Sequence, residues 1–207
     1  MQTNETSMFT PTEAAVLTRL TVKAVNNAID KKTVLAIAGS RAGNATRLLD
    51  FRALISLTLE RRLAERFAPE LRRAVFDALA AAPRNTVSLD GGFLTLDLRG
   101  PRQELATSLR ALRRARQIVM SDPEIMGNEP VFRGTRIQAH LIATLLEQGT
   151  TNDELMANYP RLTPEMIQLA PIYAAAYPLR GRPRTQPWHD RQPIRRSRRK
   201  LATIAAA

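Results

Sequence analysis

The last 28 residues limit what this chain can fold into. From Arg180 to Ala207 there are nine Lys/Arg and one acidic residue, Asp190. Pro183, Pro187 and Pro193 interrupt the stretch, and apolar periodicity is almost absent before Leu201. Such a segment cannot bury enough apolar surface to offset the entropy lost on ordering, so it reads as a disordered basic tail. Folding is left to residues 1–179. A basic tail on a folded body calls for an acidic partner: nucleic acid, an anionic membrane or an acidic cleft on another protein.

At 207 residues and 44% hydrophobic content, the chain can build one or two ordinary cores. It has no cysteine, which removes disulfides, thiolate catalysis and cysteine metal sites and fits a reducing cytoplasm. The polar start, Met1 to Ser7, is not a signal peptide, and no run approaches the roughly 18 apolar residues of a membrane span. The expectation is a soluble cytoplasmic protein with no membrane partner. Charge is uneven along the chain. Residues 1–68 and 69–116 each carry net +4, residues 117–179 carry −4, and the tail carries +8 of the total +12. Phosphate-binding surface is therefore expected in the first block and the tail.

The first block reads as two helices and a hairpin. Thr10-Pro11-Thr12-Glu13 is a helix start with a capping box, and Thr21 caps a second helix to about Lys31. Ala14, Ala15, Leu17, Leu20, Val22, Val25 and Ile29 are spaced for a small core between crossed helices. That leaves Arg19, Thr21, Lys23, Asn26 and Asn27 facing outward. Asn makes paired hydrogen bonds to adenine, Lys reaches guanine or phosphate, and Thr meets phosphate or a thymine methyl. Strands at Val34–Ile37 and Arg47–Leu49 flank a Gly-rich basic loop from Gly39 to Asn44. They form a wing from which Arg41 and Arg47 add DNA contacts. Asp50 caps a further helix to about Phe67.

This region resembles the winged helix-turn-helix of the MerR-like group, on FTPTEAAVLT (Phe9 to Thr18) and LLDFRALISL (Leu48 to Leu57). The resemblance implies binding to operator DNA. Residues 69–116 read as a spacer. A helix opens at Pro69, a hairpin turns on Asp90-Gly91-Gly92, and a helix runs from Gly100-Pro101 to about Arg116 with Arg110, Arg113, Arg114 and Arg116 as a solvated face.

Residues 117–179 carry the most specific pattern. Ser121 and Glu124 can cap a turn around Pro123, and Gly127 and Gly134 permit backbone angles other residues avoid. Pro130-Val131-Phe132 and Arg136-Ile137 read as strands meeting at the Gly134 turn. Leu141, Ile142, Leu145 and Leu146 face inward on a helix ended by Gly149. Thr151 and Glu154 form a capping box, and Thr163-Pro164 opens the last helix, which Pro171 is expected to kink or break. Arg133 and Arg136 are expected to pair with Asp122 or Glu124. GNEPVFRGTR lacks the Gly-Lys-Ser/Thr ending of a phosphate loop. The set SDPEIMG, Gly134-Thr135-Arg136, EQGTTNDEL and YPRLTPEMI is similar to the domain-of-unknown-function family 433. Gly127, Gly134, Thr135 and Arg136 are its structural motif here.

That family is associated with VapB-type antitoxins encoded beside PIN-like ribonuclease toxins. The resemblance thus implies an antitoxin that neutralises such a toxin and represses its own operon. It is expected to be a homodimer that forms a hetero-oligomer with the toxin. A PIN-like site is a carboxylate cluster holding Mg²⁺. Guanidinium, always charged and two-pronged, suits blocking it. The tail residues Arg180, Arg182, Arg184, Arg191, Arg195, Arg196, Arg198 and Arg199 would serve, with Trp188 as an apolar anchor. The alternative is a stand-alone winged helix-turn-helix regulator whose tail binds phosphate.

Neither His140 nor His189 stands in metal-ligand spacing, and Asp153 and Glu154 are explained by capping, so no enzyme, metal or cofactor is expected. The fold expected is mainly α with short β-hairpins. It comprises a winged helix-turn-helix (1–68), a helix/hairpin/helix spacer (69–116), a helix-turn-helix-like small domain (117–179) and the disordered basic tail (180–207).

Overall fold

The computed structural model describes residues 8–41, 44–64, 66–81 and 85–179. Among them are eight α-helices and three two-stranded antiparallel pairs, so the protein is mainly α with short strands. The tail residues, Arg180 to Arg199 among them, lie outside the described residues.

Helix α1 (Pro11–Thr18) starts at Thr10, whose hydroxyl accepts from Glu13 N while the Glu13 carboxylate accepts from Thr10 N at 2.8 Å. It ends at Arg19, which takes the left-handed conformation at φ 56°. That angle costs a non-glycine residue about 1–2 kcal/mol, and it turns the chain sharply into α2 (Val22–Asp30), capped by Thr21. Strands β1 (Ile37–Arg41) and β2 (Asn44–Leu48) follow, paired from Ile37↔Leu48 to Arg41↔Asn44. The expected loop from Gly39 to Asn44 is therefore mostly strand. Gly39 is a packing glycine: a Cβ there would lie 2.4 Å from Leu48 Cδ1, so its bare backbone lets Leu48 cross the ladder. Asp50 accepts from Ala53 N at 2.8 Å and caps α3 (Phe51–Leu63). Phe9 and Leu49 exchange two backbone bonds of 2.8 Å, tying the start of the described chain to the root of α3.

Helix α4 (Pro69–Ala81) leads to β3 (Thr86–Leu89) and β4 (Leu94–Asp97), joined by the Asp90–Gly92 turn. Helix α5 (Arg99–Ile118) buries Leu105, Leu109, Leu112, Ala115 and Ile118 on one stripe. On its exposed side Arg114 binds Glu165 in a fork at 2.7 and 2.8 Å.

Strand β5 (Val119–Met120) pairs with β6 (Val131–Phe132), a pairing across the intervening turn that the alternation had not indicated. Ile137 forms no strand but accepts from Phe132 N at 3.0 Å. Asp122, not Ser121, holds the turn at Pro123, accepting from Glu124 N at 2.9 Å; one methylene sets its carboxylate within reach of that amide. Arg133 pairs with neither expected acid. Its Nε donates to the Gln117 carbonyl at 2.5 Å, because its own backbone N–H is already tied to Ile118 O. Gly127 (φ 64°) and Gly134 (φ 75°) occupy the left-handed region. Thr135 Oγ1 donates to Phe132 O at 2.9 Å and accepts from Ile137 N at 3.0 Å. Arg136 is exposed beside them.

Helices α6 (Ala139–Glu147), α7 (Asn152–Asn158) and α8 (Pro164–Ala176) complete the chain. The expected break in α8 does not occur. Pro171 is exposed, so its ring displaces no core side chain, and buried Leu169, Ala170 and Ala176 anchor the helix on either side.

The core has two clusters. One joins Phe9, Leu17, Val25, Leu49, Leu54, Leu57, Leu98, Leu105 and Leu112; the other joins Ile118, Phe132, Ile142, Leu155, Ile167 and Ala170. Helix α5 feeds both, and so does α8, which gives Ile167 and Ala170 to the second and Ala176 to the first. The boundary drawn at 116/117 falls inside α5.

Leu105→Ala and Ile167→Ala, one in each cluster, should each cost about 2–5 kcal/mol. Because two helices run through both clusters, urea unfolding followed by circular dichroism and by tyrosine fluorescence should superimpose for both variants. Separate transitions would show that the clusters melt independently.

Candidate nucleic-acid interface

The residues expected to meet DNA do not all stand free. On α2, Thr21, Lys23 and Asn27 are exposed, and Lys23 and Asn27 have no side-chain partner among the described residues. Asn26 is half-buried. Arg47, from β2, donates Nη2 to Asn26 Oδ1 at 2.6 Å and Nη1 to Asp30 Oδ1 at 2.5 Å. One guanidinium thus clips the hairpin against α2. Asn26 has already committed part of its acceptor, so Asn27 is better placed for a paired amide contact.

Arg41 sits at the end of β1 with its Nη2 3.2 and 3.4 Å from the two Glu13 carboxylate oxygens. It positions the hairpin rather than projecting from its tip. Arg19 turns towards α5, 3.8 Å from Glu104 Oε1, where Arg61 and Arg62 also converge at 3.0 and 2.6 Å. The hydrogen bond from Arg62 first, and then the charges of Arg61, Arg62 and Arg19, hold the Glu104 carboxyl below its ordinary value against partial burial.

Glu13 is 1% exposed. Besides Thr10 N and Arg41, its carboxylate accepts from the Tyr177 hydroxyl at 2.7 Å. Thr12 Oγ1 donates to Ala176 O at 2.8 Å, and His140 Nε2 lies 2.8 Å from Tyr177 O. The Tyr173 ring rests against Tyr177, centroids 4.9 Å apart. The end of α8 is thereby fixed to α1 and to the base of the hairpin. Sequence reasoning gave Glu13 only its capping role. Its link to Tyr177 spans 164 positions, and no local pattern encodes it.

Between the start of α1, α2, the hairpin and the end of α8 lies an open concavity of about 1060 Å³. Val22, Ala38, Ala45, Arg47, Tyr177 and Leu179 are among its lining residues. Among the described residues there is no group of three His/Cys/Asp/Glu able to hold a metal. Nor is there a helix long and apolar enough to cross a membrane.

Residues 119–174 match the family described as "Protein of unknown function (DUF433)". The chain is also 36% identical over 188 residues to "Uncharacterized protein y4eO" of Sinorhizobium fredii (strain NBRC 101917 / NGR234), with 86% of this chain and 85% of that protein covered. The chain belongs to the DUF433 family. A solved structure, Rv2018 from Mycobacterium tuberculosis, aligns over 78% of this chain and 95% of its own at 15% identity and a TM-score of 0.33, too low to carry an argument. The family match stops short of Tyr177, so it holds most of the second cluster but not the latch onto Glu13.

Burial first, then the neighbouring Glu13 carboxylate, raises the Tyr177 phenol well above its ordinary 10.0. A raised acid holds its proton more tightly when folded. Its contribution is complete below the unfolded value and fades as pH climbs past it. Wild type should therefore lose stability above about pH 10 more steeply than Tyr177→Phe. Near neutrality Tyr177→Phe should cost about 1.5–3 kcal/mol, the worth of a hydrogen bond to a charged acceptor. Urea midpoints across that range check both; equal alkaline slopes would mean Tyr177 does not titrate against the fold.

Proposed function

We propose that this chain is a DNA-binding antitoxin. Its N-terminal part acts as a winged helix-turn-helix, α2 entering the major groove of an operator and the β1–β2 hairpin lying alongside as the wing. The protein works as a homodimer on a palindromic site, silences a PIN-like ribonuclease through its C-terminal region and represses its own operon. The observation that carries the reading is the exposure of Thr21, Lys23 and Asn27 on a helix to which the hairpin is clipped through Arg47. Asn27 and Lys23 read bases or adjacent phosphate. Arg41, Arg47 and Arg19 act through position.

Support for the toxin-directed half is the family membership of residues 119–174 and the cationic tail, whose guanidinium groups fit a carboxylate-rich metal site. The net charge of −4 over residues 117–179 argues against that part as a phosphate-binding surface.

The test has two arms. Asn27→Ala and Lys23→Ala should each weaken binding to a duplex from the upstream region of the chain's own gene, by about 1–3 kcal/mol for a base contact. Wild-type affinity in both would remove α2 from the interface. Co-expression of the adjacent reading frame with and without this protein should show arrest and rescue. If the neighbour is harmless, the stand-alone regulator with a phosphate-binding tail replaces the antitoxin.

A further inference from the structure

Arg41 also borders a second hollow in the N-terminal head, smaller than the concavity beside the end of α8. Its volume is about 390 Å³, within the roughly 300–1,000 Å³ of small-molecule sites. Leu109 and Leu112 supply apolar lining, and its charged groups are Glu13, Arg41, Arg113 and Arg116. Helical phase brings the α5 pair there. Leu109 and Leu112 turn inward on the buried stripe, and Arg113 and Arg116 stand together on its flank, three residues apart.

Charge decides what the hollow can hold. Three guanidinium groups against one carboxylate leave a net charge of +2. Glu13 is already occupied: it is 1% exposed and accepts from Thr10 N, Arg41 and the Tyr177 hydroxyl. Arg113 and Arg116 are exposed and enter no ion pair or hydrogen bond among the described residues. Arg114, beside them in sequence, is bound to Glu165, so the lack of an acid is particular to the two that line the hollow. Arg116 also acts inward. Burial raises the Tyr173 phenol, and the Arg116 charge opposes that rise. Arg41 turns only its Nη2 to Glu13, which leaves Nε and Nη1 able to donate.

Uncommitted guanidinium forks suit a compact anion with several oxygens. A phosphate monoester carries about −1.5 to −2 near neutrality, which matches the net charge of the hollow. A nucleic-acid phosphodiester carries a single negative charge.

We infer that this hollow binds a small phosphate monoester, held by Arg113 and Arg116 of α5 and met from the hairpin by Arg41. The bound anion ties the end of β1 to α5. The site stands whether or not α2 meets DNA.

Isothermal titration of glycerol 3-phosphate into the full chain at fixed ionic strength tests this, with succinate as a dianion of different shape. Wild type should show one saturable site for glycerol 3-phosphate and bind succinate more weakly. Arg113→Gln and Arg116→Gln should each weaken the phosphate at least about tenfold, as expected for a lost hydrogen bond to a charged group. Neither side chain supports a contact of the fold, so circular dichroism should be unchanged. Arg110→Gln removes the same charge from the same helix outside the hollow and should leave affinity within about twofold. The C-terminal basic residues are common to all four proteins, so they cannot produce the difference.

Equal losses in all three variants would mean that the chain responds only to net charge, and would overturn the site. Wild-type affinity in Arg113→Gln and Arg116→Gln would do the same. Succinate bound as tightly as glycerol 3-phosphate would remove the phosphate assignment. No saturable binding would overturn the inference as well. If the two variants then weakened capture of a duplex from the gene's upstream region, the arginines would belong to the DNA backbone instead.

Discussion

The Glu13 carboxylate is the point on which the N-terminal arrangement turns. A carboxylate at 1% exposure is costly unless its lone pairs are met by donors. Here the donors come from three separate parts of the chain: Thr10 N at the start of α1, Arg41 at the end of β1 and Tyr177 beyond α8. Satisfying one buried group therefore requires three elements to be in register. Arg41 keeps 40% of its side chain exposed, so its charge remains partly hydrated. That relieves the desolvation penalty that makes fully buried pairs a doubtful gain.

The same group helps to join the two clusters. Helix α5 passes through both, a rigid rod of 20 residues with one apolar stripe. Helix α8 packs on α6 within the second cluster and then delivers Ala176 and Tyr177 to α1 in the first. The DUF433 region is thus coupled to α1 and the hairpin by a covalent rod on one side and by a hydrogen-bonded latch on the other. A partner that pulled the end of α8 away would expose Glu13 and loosen the base of the hairpin with it.

Local chemistry made much of this legible. Thr10, Thr21, Asp50, Thr151 and Thr163 all cap the helices their sequences announce, because a cap needs only a hydroxyl or carboxylate two or three residues before the amide it serves. The Asp90-Gly91-Gly92 turn is legible for the same reason. Failures came where a distant group decided. Gly39 looked like a loop glycine but makes room for Leu48 across the ladder. Arg133 found a carbonyl instead of a carboxylate, and β5 found β6 across a turn. Pro171 looked like a breaker, yet the helix around it is held by buried neighbours whose packing no propensity contains. In the candidate site, exposure of Thr21, Lys23 and Asn27 followed from helical phase alone. The engagement of Arg19, Arg41 and Arg47 did not, since their acidic partners lie on other elements.

Those engagements change the meaning of the charge on the head. A count of basic residues treats every arginine as available to phosphate, but an arginine already facing a carboxylate adds little to the field beyond it. Arg47 fixes the hairpin against α2, and Arg41 fixes it against α1. Their charge is largely cancelled in doing so. Positioning and attraction then fall to different residues: carboxylate-paired arginines set the geometry of α1, α2 and the hairpin, while long-range attraction comes from cations without acidic partners, Lys23 among them. Along the sequence, basic residues are densest after Leu179, where nine stand with a single aspartate. The Arg41–Glu13 pair, with its carboxylate buried, is screened by salt much less than the exposed Arg47–Asp30 pair, so the hairpin's hold on α1 should outlast its hold on α2 as salt rises.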